Sequence, residues 1–306
     1  MSLLESEKEW FIQAPWGKIC IVAWGSCLDP PVLVCHGERD SLASFRPLLR
    51  LLPTNFYYVG MELPGNGRSD PYPPGLPVSL MDLVYSLEVV RRHFRWDQFI
   101  YLAHSVATTI GRLYNVSNPG RMSRVIELDQ VTPSFVMVTP ENFADWYNIL
   151  YTQYFDRYDF YNSSKENAPK YTMEQAVERV MRVRQLPPEA ARATVERWSE
   201  PAGHGLIRFT IDQRTKHLLR PPFSAEQVKA LFTSLPTPTL GIIAEKSVKN
   251  GYFTNTSFLL EDYGNYRVRK VDGGHDVHIT NPERMAPFVS QFLLHGIDGL
   301  DRKAKL

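Results

Sequence analysis

The sequence predicts an α/β domain built on a mostly parallel, eight-stranded sheet with flanking helices and an inserted helical lid. Short apolar runs of strand length alternate with helix-length amphipathic runs from residue 31 to residue 131, and again after residue 237. Between these stretches, residues 132–231 break the alternation with Tyr- and Phe-rich text and polar helical runs. Strand and helix in alternation imply right-handed crossovers between parallel strands, which put ligand-binding loops at the carboxyl ends of the strands. The expected organisation is a core of residues 1–131 and 232–306, with 132–231 as the lid.

The text WFIQAP-WGK-ICIVAWGS reads as two β-runs around a Trp-Gly turn, and PPVLVCHG as a buried strand ending at a glycine. SLASFRPLLRLL follows with apolar residues at helical spacing. NFYYVGMEL is then a strand, Pro-Gly-Asn-Gly a loop and SLMDLVYSLEVVRRHF a helix. QFIYLAHS is a strand running into a small-residue turn and the helix VATTIGRLYNV, and RVIELDQV is the next strand. In the lid, WYNILYTQYFDRYDFY precedes the helical runs MEQAVERVMRVRQ and PEAARATVERWSE. PTLGIIAE and YRVRKVDG resume the sheet, and PERMAPFVSQFLLHG is a final helix opened by Pro282.

At 306 residues and 43% hydrophobic, the chain can bury one sizeable core. Its 34 basic and 33 acidic residues leave a formal charge of +1, so no global field favours nucleic acid, and a small molecule is the expected partner. Cys20, Cys27 and Cys35 form an odd set unsuited to a disulfide framework or a zinc site, and neither metal nor cofactor is expected. The first residues lack the apolar run of a leader, and no later stretch reaches the ~18 apolar residues of a membrane span. The chain ends in Ala304-Lys305-Leu306 after a basic approach, one conservative step from the Ser-Lys-Leu address of the peroxisomal import receptor. A peroxisomal location with a cytoplasmic pool is therefore expected.

Three local patterns carry chemistry. Ala103-His104-Ser105-Val106-Ala107 sits between a strand and a helix, where small flanking residues let the chain turn sharply and lift a nucleophilic hydroxyl above the sheet. His36-Gly37-Glu38 follows a buried strand, so the backbone N–H groups of Glu38 and Val106 are candidates for an oxyanion hole. The Glu38 carboxylate is odd there, because a negative charge opposes the charge such a hole stabilises. Asp272-Gly273-Gly274-His275 places a histidine on a glycine turn before the final helix, making His275 the candidate general base. His278 competes weakly as a helix-start residue. Gly37, His104 and Trp146 are the candidate pocket residues, with His104 also bracing the elbow.

The acid is the open member. In sheets of this kind it usually follows the next-to-last strand, where PTLGIIAEKSVKN offers Ser247 instead of an aspartate. Asp129, at the end of the strand after the serine, is preferred because a carboxylate must orient and stabilise the imidazolium. Glu245 is the fallback, and a water-supported dyad remains a third arrangement.

On VLVCHG, MELPGNGRSD, YLAHS, the lid segments KYTMEQAVERV and FTIDQRTK, and GGHDVHITNPE, the chain resembles the serine hydrolase-like proteins of animals, which are lidded α/β-hydrolases. The likeness runs over most of the chain. It implies an α/β-hydrolase fold and a serine hydrolase of undefined substrate, often linked to peroxisomes. Glu38, where that family commonly has an aromatic, and the alanines flanking Ser105 depart from the pattern. The leading expectation is hydrolysis of a carboxylic ester or thioester through Ser105, His275 and Asp129. The substrate is expected to be small and apolar, enclosed by Trp146, Tyr147, Tyr151, Tyr154 and Phe155. Two alternatives stand beside it: a catalytically silent binding protein, and cofactor-free dioxygenase chemistry on the same residues. Dehalogenation is disfavoured because Ser105 stands where it needs a carboxylate.

Overall fold

The computed structural model describes residues 2–130 and 138–301. Its main sheet has eight strands: β1 (Lys8–Ala14), β2 (Gly17–Trp24), β3 (Pro31–Cys35), β4 (Tyr57–Met61), β5 (Phe99–His104), β6 (Met122–Leu128), β7 (Thr239–Ala244) and β8 (Tyr266–Val271). Their spatial order is β1-β2-β4-β3-β5-β6-β7-β8. β2 runs antiparallel to both neighbours and every other pairing is parallel. The first hairpin pairs Ala14 with Gly17, so the turn falls on Pro15 and Trp16.

Alternation along the central strands divides the core into two layers. Val32 and Val34 of β3, with Leu102 of β5, pack on the face covered by α7 (Ala286–His295) through Val289 and Phe292. Leu33, Cys35 and Tyr101 pack on the opposite face against α1 (Leu80–Phe94) and α2 (Val106–Ser117). Apolar residues on both sides of each strand are what a parallel sheet covered on both faces requires. All three cysteines are free, and Cys20 and Cys35 are buried as small core residues.

Two predicted helices differ in extent. SLASFRPLLRLL forms only a 3-10 turn at Leu42–Phe45 and one helical turn at Arg46–Leu49. Pro47 explains this, because it has no N–H to give to Ala43 and can only open a helix. The final helix begins at Ala286, with Pro282–Arg284 forming a separate 3-10 turn before it.

Between β6 and β7 lies the insertion. Short helices at Phe143–Tyr147, Gln153–Asp156 and Tyr158–Tyr161 precede α3 (Met173–Arg184) and α4 (Pro188–Trp198). A small antiparallel sheet joins Lys170–Tyr171, Ile207–Phe209 and Ser199–Pro201, so the insertion is not wholly helical as expected. These strands are two or three residues long, too short for a period-two signal. The expected lid edge at residue 132 lies outside the described residues. The expected edge at Leu231 falls within α5 (Ala225–Thr233), whose Val228 and Phe232 pack with Ile243 and Tyr266 of the main sheet.

Arginines fasten the insertion to the core. Arg197 of α4 reaches the wholly buried Glu62 and, at 2.8 Å, Glu9 of β1. Arg184 of α3 bridges Asp40 at 2.8 Å and Asp276 at 2.7 Å. Among the described residues, no helix is long and apolar enough to cross a membrane.

Candidate active site

Ser105 occupies the junction of β5 and α2 with φ 56° and ψ −127°, a backbone region that residues bearing a Cβ seldom adopt. The surrounding contacts hold it there. Its N–H donates to the Leu128 carbonyl at 3.1 Å, and its own carbonyl accepts from the Thr108 N–H at 3.0 Å and the Thr108 hydroxyl at 2.6 Å. Gly37 packs against this turn so closely that a Cβ there would lie 3.0 Å from both the Ser105 Cβ and the His104 Nδ1. Any larger residue would push the loop after β3 away from the hydroxyl.

The structure brings Ser105, His275 and Asp129 into one line. The Ser105 hydroxyl lies 3.0 Å from His275 Nε2, and His275 Nδ1 lies 2.7 Å from Asp129 Oδ2. With a carboxylate at Nδ1, that nitrogen carries the hydrogen, leaving the Nε2 lone pair facing the serine. Burial alone would lower the His275 pKa, but the hydrogen bond and charge of Asp129 outweigh it and hold the imidazole above its ordinary value.

Asp129 is wholly buried, and its φ of 41° turns the chain at the end of β6. Three donors converge on its carboxylate. Oδ1 accepts from the Ala244 N–H at 2.8 Å, while Oδ2 accepts from the Ser247 hydroxyl at 2.6 Å as well as from His275. Ser247, the residue at the vacant acid position, thus anchors the carboxylate that came from the neighbouring strand. Glu245 points elsewhere: it is exposed on α6 (Glu245–Lys249), 3.9 Å from Lys249.

Val106 is the first residue of α2, so its N–H has no intrahelical acceptor and is free to serve a ligand. The loop carrying the Glu38 N–H is braced by His36, which is wholly buried. Its Nε2 accepts from the Leu63 N–H at 3.1 Å and its Nδ1–H donates to the Gly37 carbonyl at 2.8 Å. The Glu38 carboxylate lies 3.3 Å from Arg39 and 3.4 Å from Arg220, so its charge is neutralised locally.

His104 is buried beside the pair, and its Nε2 donates to the His275 backbone carbonyl at 3.0 Å, fixing the loop that carries the imidazole. Burial and two neighbouring histidines keep it neutral, with its pKa well below the ordinary value. His278 packs against it with ring centroids 4.0 Å apart and planes tilted by 40°, wholly buried, its pKa pushed down to about 3, first by burial. Asp40, His104, Asp276 and His278 bring possible ligand atoms within 4.8 Å of one another. Arg184, bonded to both carboxylates, already supplies the positive charge at that cluster.

A cleft of about 2070 Å³ opens above Ser105 and His275, lined on the core side by Gly37, Glu38 and His104. Trp146 is not among its lining residues, contrary to the expectation. Its indole is buried with Val138 and Leu150 inside the insertion, because the aromatic text forms short helices that pack on each other. Aromatic walls come instead from Phe160, Tyr161, Tyr171, Trp198 and Phe209. Phe160 and Tyr161 end the aromatic run WYNILYTQYFDRYDFY, and Tyr171 and Phe209 lie in the segments KYTMEQAVERV and FTIDQRTK, but nothing in that text marked which rings face the cleft.

A family model described as alpha/beta hydrolase fold matches residues 30–282. The chain is 27% identical to human serine hydrolase-like protein 2, with 92% of each chain covered. It is 26% identical to a probable serine hydrolase of Drosophila melanogaster, covering 94% of this chain and 88% of that one. Among solved structures, it is similar to the thioesterase domain from the curacin biosynthetic pathway, with TM-score 0.76, 19% identity, and 92% and 98% of the two chains covered. A hypothetical protein of Pseudomonas aeruginosa PAO1 matches with TM-score 0.80, 21% identity, and 94% and 100% covered. At these identities the structural likeness speaks for the fold alone.

Proposed function

The chain belongs to the α/β hydrolase fold family, and we propose that it hydrolyses a carboxylic ester or thioester with Ser105 as nucleophile, His275 as general base and Asp129 as the orienting acid. One observation carries this reading: the unbroken hydrogen-bonded line from the Ser105 hydroxyl through His275 to Asp129. As Oγ attacks the acyl carbon, its proton passes to His275 Nε2 and the carbonyl oxygen becomes an oxyanion facing the N–H groups of Val106 and Glu38. Collapse of the tetrahedral species expels the alcohol or thiol, which takes the proton from His275. Water then enters by the same route, loses its proton to His275 and releases the acid, and Ser105 recovers its hydroxyl.

The names of the serine hydrolase-like relatives agree with this chemistry. The insertion over the cleft is read as a lid that excludes water. Ala304, Lys305 and Leu306, which lie outside the described residues, are proposed as the peroxisomal address. Fluorophosphonate labelling tests the nucleophile. The wild-type protein should label and Ser105→Ala should not, and the same variant should lose turnover of a graded panel of p-nitrophenyl and coenzyme A esters. Labelling or hydrolysis that survives in a pure Ser105→Ala preparation refutes the assignment.

A further inference from the structure

We propose that Arg184 is a positioning residue for the reaction: it ties the insertion to the two loops that carry the oxyanion donor and the general base, so that seating the insertion aligns both. The inference rests on the hydrolase reading and adds a residue that acts through others rather than on the substrate.

The guanidinium of Arg184 makes two bonds, each to a carboxylate beside a functional residue. Nη1 donates to Asp40 Oδ1 at 2.8 Å, and Asp40 lies two residues after Glu38, whose N–H is assigned to the oxyanion. Nη2 donates to Asp276 Oδ1 at 2.7 Å, and Asp276 directly follows His275. One side chain of the insertion therefore spans both loops. The insertion in turn holds Arg184, which ends α3 and sets its guanidinium 5.7 Å from the centre of the Trp198 ring on α4.

Both carboxylates depend on this contact. Asp40 is buried, and among the described residues Arg184 is the only group that donates to its side chain. Asp276 precedes the short helix Val277–Thr280, where an aspartate ordinarily caps the first N–H groups. Its side chain makes no cap bond and turns instead to a partner 92 residues away.

The oxyanion loop needs such an anchor. Arg39, between Glu38 and Asp40, has φ 51°, a left-handed backbone unfavourable for a residue with a Cβ and kept only where the surroundings impose it. Relaxation of Arg39 would swing the Glu38 N–H. Asp40 fixes the loop on one side of this strained residue, and on the other Gly37 abuts Ser105, where a Cβ would lie 3.0 Å from the serine Cβ. On the base side, His104 holds the His275 carbonyl at 3.0 Å and Arg184 holds the next residue. Moving the insertion would break both Arg184 bonds together and release the two loops in one step.

The test compares Arg184→Met with Phe292→Ala, a core truncation that also costs stability but leaves the Arg184 bonds in place. Each is assayed while folded, as shown by circular dichroism, on a p-nitrophenyl ester that the wild type turns over. Arg184→Met should lower kcat by about 10–100-fold with KM within about threefold, because a donor and a base that are misplaced act on the transition state. Arg184→Lys, able to reach one carboxylate at a time, should fall between it and the wild type. Phe292→Ala should keep kcat within about threefold. Hydrogen exchange followed by mass spectrometry should rise in Arg184→Met over residues 37–40 and 274–277, beyond any rise in Phe292→Ala. Should Arg184→Met fold poorly, Asp276→Ala should raise exchange over 274–277 and lower kcat about tenfold. A loss of kcat in Arg184→Met no greater than in Phe292→Ala, or a change confined to KM, overturns the proposal. If the wild type turns over no ester and takes up no fluorophosphonate label, the hydrolase reading fails by itself. Exchange then decides the tie: a rise in both loops sustains it, and wild-type exchange in Arg184→Met overturns it.

Discussion

Asp129→Asn exchanges one oxygen for an NH2 group at a carboxylate where every partner is a donor: the Ala244 N–H, the Ser247 hydroxyl and His275 Nδ1. An asparagine there has only one acceptor atom to offer. If its oxygen stays on Ala244, the NH2 faces Ser247 and His275; the hydroxyl can rotate to accept, but the imidazole must move its hydrogen to Nε2. That tautomer points a donor at Ser105 and cannot take its proton. If the oxygen stays on His275, the NH2 meets the Ala244 N–H, leaving buried donors unpaired at about 1–3 kcal/mol. The variant also loses the charge that holds the His275 pKa up, so less imidazolium stabilisation is available as the serine proton transfers. Loss of an orienting aspartate costs about four orders of magnitude in turnover, or ~5 kcal/mol of barrier. The assay is kcat/KM for a p-nitrophenyl ester across pH, with folding checked by circular dichroism. Asp129→Asn should fall by about 10⁴ and its acid limb should move to lower pH, because the imidazole loses a proton more readily. Glu245→Gln should stay within about twofold, as expected of an exposed surface charge. A well-folded Asp129→Asn that keeps near-wild-type kcat/KM refutes the reasoning.

Other consequences follow from the same contacts. Arg184→Met leaves the buried Asp40 without its counter-charge and should destabilise the fold by about 3–5 kcal/mol in urea unfolding; a loss below about 1 kcal/mol would show that the bridge is expendable. His278 is neutral in the folded protein down to about pH 3, whereas an unfolded histidine titrates near 6.5. Its contribution to stability is therefore complete above 6.5 and declines as pH falls, by about 2 kcal/mol at pH 5. His278→Phe should flatten the fall in Tm between about pH 7 and pH 5, and an unchanged slope would count against this assignment. Removing residues 304–306 should leave esterase activity intact and disperse a fluorescent fusion from peroxisomes to cytosol; persistent puncta would place the signal elsewhere.

Much of the fold is visible in local text. Strand and helix lengths, the turn at Ser105 and the glycines before His275 depend on residues within a few positions of each other, and spacing reports them directly. The chain order serine, acid, histidine extends that local reading to partners 146 and 170 residues apart. What the sequence conceals are pairings made only in space. Arg184 sits in the last turn of α3 and reads as a solvated charge favouring the helix C-terminus, yet it ties the insertion to two core carboxylates. Trp146 reads as a pocket wall because aromatic text gives no direction, and its direction is set by how short helices stack within the insertion.

Ser247 shows how an absence in the sequence can mislead. Read alone, the serine after β7 is a missing acid and argues for weakened chemistry. In the structure it is a hydroxyl 2.6 Å from the carboxylate of Asp129, which reaches the same histidine from the neighbouring parallel strand, β6. An aspartate at position 247 would set a second buried negative charge against Asp129, raising one of their pKa values and disturbing the hydrogen bond to His275. Moving the acid by one strand therefore requires a neutral donor where the acid would otherwise stand. The two positions form one device, and Ser247→Asp should lower activity despite restoring the more usual residue, whereas Ser247→Ala should cost less because it removes only one of three donors. If Ser247→Asp proved as active as the wild type, the second carboxylate would have taken over the histidine and the two positions would be interchangeable.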